Sequence, residues 1–116
     1  MSESQPFFIP SDAIIAREKL TRYLLVPKPT NDKCHYLAQA GFDQSNAPAL
    51  EAAIRQGTTQ NAAVIERVNE HGTYYNVRCS LTGPRGVALP VVLVWLRRLD
   101  AVFSFVTLIP DKEKSK

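Results

Sequence analysis

The feature that most constrains this chain is a change of hydrophobic period near its middle. Between residues 73 and 81 the side chains alternate, with Tyr75, Val77, Cys79 and Leu81 on one face and Tyr74, Asn76, Arg78 and Ser80 on the other. A period of two is that of a strand, whose successive side chains leave opposite sides of the backbone. Strand-like runs also cover residues 62–69, 87–96 and 101–109. Between them stand Glu70-His71-Gly72, Thr82-Gly83-Pro84-Arg85-Gly86 and Leu99-Asp100, which leave room only for chain reversals. Four strands joined this way predict an antiparallel meander, with Gly83–Gly86 at an exposed hairpin tip.

The first half reads as short helices. Pro10-Ser11-Asp12 can cap a helix start, and Ile14, Ile15, Leu20, Tyr23 and Leu24 form an approximate helical stripe. Residues 13–16 fit either the start of that helix or a short strand before a helix from about Arg17 to Leu24. Val26-Pro27-Lys28-Pro29-Thr30 is an extended connector, because each proline pushes its predecessor out of the helical region. A second helix is expected from Asp32 to about Ala40, stopped by Gly41, with Tyr36, Leu37 and Ala40 inward. A third starts near Asn46-Ala47-Pro48, buries Leu50, Ala53 and Ile54, and ends at Gly57. The fold class is therefore α+β, with N-terminal short helices packed on a four-stranded antiparallel meander sheet. The 116 residues fit a single domain over 6–110, with flexible termini at 1–5 and 111–116. The last of these, Asp111 to Lys116, reads as a solvated charged tail.

The third strand resists a one-sided sheet. Val91, Leu93 and Trp95 face one way, and Val92, Val94 and Leu96 the other. In the fourth, Val102, Val106 and Leu108 oppose Phe103, Phe105 and Ile109. Strands apolar on both faces are normally covered on both. Either the helices split across the sheet, or the face of Val92, Val94 and Leu96 meets a protein partner or a second copy in a homodimer. Pro90 cannot donate to a ladder and points to an edge or a bulge.

The chain has no Gly-rich phosphate loop, no metalloprotease helix and no nucleophile elbow. Cys34 and Cys79 lack partners at metal-binding spacing and read as reduced, packed thiols. Neither a nucleotide nor a metal cofactor is expected. No apolar run is long enough for a membrane helix, and the start lacks the pattern of a secretion signal, so a cytoplasmic location is the default. A formal charge of +3 permits an acidic partner such as RNA.

What remains is a loose polar set: Lys28, Asp32, Lys33 and His35 around the second helix, with Tyr75, Arg78, Arg97 and Thr107 from the sheet. Lys33 shares the inward stripe of Tyr36, Leu37 and Ala40, and the helix dipole opposes a cation in the first turn. Either it has a partner or a use, or its stem covers apolar surface while the ammonium reaches water. His35 lies about 200° further round the helix and points outward. Arg97 and Arg98 are adjacent, so they point to opposite faces of their strand.

Lys19-Leu20, Tyr23-Leu24-Leu25-Val26-Pro27, Asn31-Asp32-Lys33, Gly41-Phe42, Gly72-Thr73, Tyr75, Leu81-Thr82-Gly83-Pro84, Val94-Trp95, Val106-Thr107 and Pro110 together resemble a small bacterial domain family of unknown function. Domains of that family occur alone and at the ends of large secreted bacterial toxins. The order of helices then meander is also similar in layout to the barnase–RelE group of metal-independent ribonuclease toxins. In such enzymes the RNA 2′-hydroxyl attacks its own phosphate. That resemblance implies Lys33 holding the phosphate, Thr107 bonding a phosphate oxygen, Arg97 as a second cation and His35 as general base. The rival reading is a non-catalytic interaction module, one partner of a protein complex or a toxin-neutralising protein.

Overall fold

A computed structural model describes residues 6–21, 25 and 33–111, excluding the side chains of Lys19, Lys33 and Cys34. Strands β1 (Val64–Asn69), β2 (Gly72–Thr82), β3 (Ala88–Arg98) and β4 (Phe103–Pro110) form one antiparallel sheet in the order β1-β2-β3-β4. The meander follows the alternation and the turn residues. Gly72 takes a φ of +136° at the first reversal, and a side chain there would run into the Arg97 carbonyl.

The inner face carries the core. Val77 and Leu81 of β2, Leu89, Val91, Leu93 and Trp95 of β3, and Phe103, Phe105 and Leu108 of β4 are buried in one cluster. Helix α3 (Ala47–Gln60) lays Leu50 and Ile54 onto it, and the shorter α2 (Lys33–Ala38) contributes Leu37. Burying each such side chain contributes roughly 1.5–3 kcal/mol, so this one layer holds most of the apolar stabilisation. Pro48 sits in the first turn of α3, where no N–H is missed. The helix does not end at Gly57 but runs to Gln60. Gly57 lies against β2, where a Cβ would stand 2.7 Å from the Cys79 sulfur, so the residue serves close packing rather than termination.

Residues 6–16 run as two extended pieces either side of a turn at Ser11 and Asp12, which the Ala13 N–H closes onto the Pro10 carbonyl at 3.1 Å. The Ala63 N–H donates to the Phe7 carbonyl at 2.7 Å, and the Phe7 ring packs on Tyr75 and Phe103. Ile14 bridges Ser104 in parallel, giving and taking backbone bonds of 2.9 and 2.8 Å along β4. Of the two options for residues 13–16, the strand-like one holds. The helix after it, α1, spans only Arg17–Lys19. Of the three expected short helices the first is thus one short turn over its described residues, the second and third are present as α2 and α3, and the longest, α3, lies mid-chain. Tyr23, Leu24, the connector Val26–Thr30 with Lys28, Asp32, and residues 1–5 and 112–116 lie outside the described residues.

Three further expectations are corrected. Asp111 does not belong to a solvated tail: it is 5% exposed and bonds Arg78 at 3.0 Å. Pro90 causes neither edge nor bulge, and β3 runs through it in unbroken register with Ser80. In a strand the N and carbonyl of one residue point to the same side. For Pro90 that side faces the end of β4, where its carbonyl accepts from the Asp111 N–H and the Tyr36 hydroxyl, so no ladder donor is missed. β4, in contrast, does bulge: Phe105 pairs with Trp95 and Thr107 with Val94, leaving Val106 as the extra residue. Leu108 therefore joins Phe103 and Phe105 on the inner face, against simple alternation. At the β2–β3 hairpin Pro84, Arg85 and Gly86 are exposed, but the Arg85 N–H donates to the Ala40 carbonyl at 3.0 Å, which ties the tip to the end of α2.

Candidate functional site

The other side of the sheet, the open face, bears no helix among the described residues. Its side chains follow from the register. Arg67, Tyr74, Leu96 and Ser104 form one row across the strands, and Val64, Asn76, Val94 and Thr107 the next. Then come Arg78, Val92 and Ile109, and beyond them Ser80 and Pro90 beside Asp111. Rows are roughly 7 Å apart and neighbours within a row roughly 5 Å. The centre is an aliphatic floor of Val92, Val94 and Leu96, half-buried or buried. Polar and aromatic groups rise from β2 on one side, and hydroxyls from β4 on the other.

Two arginines on this face are held in place. The Arg67 guanidinium lies over the Tyr74 ring, 4.1 Å from its centre, a contact worth roughly 0.5–1 kcal/mol at an exposed site. Arg78 bonds the buried Asp111 carboxylate through one nitrogen, while its side chain stays 56% exposed. A guanidinium has its N–H donors in a fixed plane, so this pairing orients the group. Tyr36 reaches the same end of the sheet from α2 and donates to the Pro90 carbonyl at 2.7 Å. Burial, and then the neighbouring Asp111 charge, push its phenol above the ordinary tyrosine value.

Beside Arg78 a cleft of about 350 Å³ opens between the end of α3 and the start of β1, lined by Asn61, Ala62, Val64, Ile65, Asn76 and Arg78. Two amides, one guanidinium and aliphatic walls suit a flat polar ligand with an anionic group. Among the described residues no group of three or more His, Cys, Asp or Glu side chains could hold a metal ion. No described helix is long and apolar enough to cross a membrane.

The match to a family model spans residues 10–112, nearly the whole described fold. The chain belongs to a family of domains of unknown function, DUF6883. No protein with a curated description matches it. A solved chain with the same fold comes from a contact-dependent growth inhibition toxin–immunity protein complex of Klebsiella pneumoniae 342. It shares 22% identity, with a TM-score of 0.66, and the match covers 85% of this chain and all of the other.

The residues singled out in the sequence do not all meet in this DUF6883 fold. Thr107 stands on the open face, in the row of Asn76 and Val94. Arg97 pairs with Thr73 and Phe103 on the inner side, exposed at the sheet's end. Arg97 and Thr107 are thus on opposite faces. His35 is exposed on α2, one residue before Tyr36, and the Lys33 side chain lies outside the described residues. Cys79 lies half-buried against Gly57, where burial pushes its thiol up to about 11. The pairing of Arg78 with Asp111 spans 33 residues and leaves no local pattern. The alternation of β2 alone does put Tyr74, Asn76 and Arg78 together on one face.

Proposed function

We propose that this chain is the RNA-acting member of a toxin–immunity type pair, and that RNA lies along the open face of the sheet. The observation that carries the reading is the row pattern of that face: a ring backed by Arg67, an amide at Asn76 and the Asp111-held Arg78, spaced along one strand. Aromatic side chains stack unpaired bases, and guanidinium groups track the phosphates between them. A spacing of roughly 7 Å between same-face residues on β2 is close to that of successive nucleotides in an extended strand. The solved chain of the toxin–immunity complex supports the setting through shared fold alone.

In this reading Arg78 takes the second-cation role that the layout resemblance gave to Arg97, and Thr107 offers its hydroxyl from across the floor. His35, on the helix that brings Tyr36 to the Asp111 end, is the base for cleavage. It removes the 2′-hydroxyl proton, the freed oxygen attacks the adjacent phosphorus, and the bond to the 5′-oxygen of the next nucleotide breaks, that oxygen taking a proton from water. The products are a cyclic phosphate and a 5′-hydroxyl end. The test is incubation with total RNA of the wild type, Arg78→Ala, Lys33→Ala and His35→Ala. The wild type is expected to fragment RNA, with His35→Ala still binding but no longer cutting. Intact RNA with the wild type removes the catalytic reading, and absence of binding removes the proposal as a whole.

A second reading is favoured by the floor itself. Val92, Val94 and Leu96, with Ile109 exposed beside them, are a surface that a protein partner could cover. Competition between RNA and a cognate partner for the open face would join the two readings. A partner that binds without displacing RNA would separate them.

A further inference from the structure

β1 is the outer strand of the sheet and the barest element of the fold. Val64, Ile65 and Val68 are 67%, 57% and 68% exposed. One side of its backbone is paired with β2. Among the described residues the other side is met only just before the strand, at the bond between Ala63 and Phe7. A strand edge with exposed aliphatic side chains is a template for a further strand.

The sequence of β1 indicates which strand fits. In a regular strand adjacent residues lie on opposite faces. An antiparallel pairing of two copies that keeps both open faces on one side must therefore centre on a single residue. At the middle of β1 that would set Glu66 against Glu66 or Arg67 against Arg67, and like charges directly opposed are destabilising. The bulge in β1 removes the conflict. Ile65 pairs with Tyr75 and Arg67 with Tyr74, so Glu66 is the inserted residue. Glu66 and Arg67 meet at 3.3 Å, and Ile65 and Val68 both belong to the inner side, opposite Tyr75 and Thr73. Bulges usually turn an edge away from pairing. Here the bulge re-phases the strand so that a twofold axis can fall between two residues of opposite charge.

We propose that β1 pairs antiparallel with β1 of a second copy of this chain, about a twofold axis between Glu66 and Arg67. Glu66 then faces the second copy's arginine at 67 twice per dimer, Ile65 faces valine at 68 on the inner side, and Val64 faces asparagine at 69. The two four-stranded sheets become one of eight strands, and their open faces lie side by side. The contact is small, so association depends on protein concentration.

The test is cysteine trapping together with sedimentation of the full chain. Ile65→Cys and Val68→Cys alone are expected to stay monomeric under mild oxidation, while an equal mixture of the two forms a covalent dimer, since only that pair is directly opposed. In sedimentation, Glu66→Arg or Arg67→Glu weakens association about tenfold, and the double reversal restores it. All substituted side chains are exposed, so circular dichroism should show an unchanged fold. The proposal is overturned if the mixture does not cross-link, if Ile65→Cys alone cross-links as well as the mixture, or if the double reversal fails to restore the dimer.

Discussion

Replacing Gly57 by alanine should destabilise this protein, although alanine is the better helix former. In an exposed helix interior the exchange gains about 0.8–1 kcal/mol. At this position the new Cβ would stand 2.7 Å from the Cys79 sulfur, where ordinary contacts need about 3.5–4 Å. Neither partner can retreat easily. Cys79 is held in the middle of β2 by its pairing with Val91, and α3 is held by Leu50 and Ile54 in the core. Overpacking of this kind costs about 1–3 kcal/mol, so the net change should be a loss of about 1 kcal/mol. Cys79→Ala supplies the control. With the sulfur gone, the nearest atoms are the residue-79 Cβ at 3.4 Å and a Leu81 methyl at 3.7 Å, both at or near ordinary contact. In that background Gly57→Ala should stabilise by about 1 kcal/mol, giving a coupling of about 2 kcal/mol between the sites. Urea unfolding of the four proteins, followed by Trp95 fluorescence, measures it. If Gly57→Ala shifts stability equally in both backgrounds, close packing is not the reason for the glycine.

Other outcomes follow from the same geometry. Tyr36→Phe removes the bond to the Pro90 carbonyl and should cost about 1 kcal/mol in urea unfolding. Asp111→Ala should cost roughly 1 kcal/mol, since Arg78 is largely solvated; its clearer effect should be weaker RNA binding, because Arg78 is no longer oriented. Burial raises the Cys79 thiol to about 11 from an ordinary value of 9.0. In a Cys34→Ser background, alkylation at pH 8 should therefore be slow when folded and fast in urea. Between those two values the unfolded thiol has lost its proton and the folded one has not, so this contribution to stability is complete below 9 and lost as pH rises towards 11.

The strands were legible because their information is local. Alternation groups Tyr75, Val77, Cys79 and Leu81 of β2, and Val91, Leu93 and Trp95 of β3, each on one face as the sheet does, and the turn residues mark each reversal. What escaped was set by contacts distant in sequence. Gly57 looks like a stop until Cys79 is seen against it, and Asp111 looks like tail until Arg78 is seen beside it. The bulge at Val106 breaks the alternation of β4 without a glycine or proline to mark it, so alternation alone assigns the residues beyond it to the wrong faces. For the same reason Arg97 and Thr107 could be imagined in one cleft. The polar line of β2 is visible in the sequence, and the register of the neighbouring strands adds which side chains stand beside it.

The central claim is that RNA meets the open face and not the inner side. Fluorescence anisotropy of a labelled single-stranded RNA, titrated with wild type, Arg78→Ala and Arg97→Ala at two salt concentrations, tests it most directly. Circular dichroism should show all three folded, Arg97 being exposed and Arg78→Ala losing some stability because it removes the partner of the buried Asp111 carboxylate. Losing one phosphate contact should weaken binding and reduce the salt slope by about 0.7, so Arg78→Ala should show both effects and Arg97→Ala neither. Equal losses from the two arginines, or a loss from Arg97→Ala alone, would contradict the account.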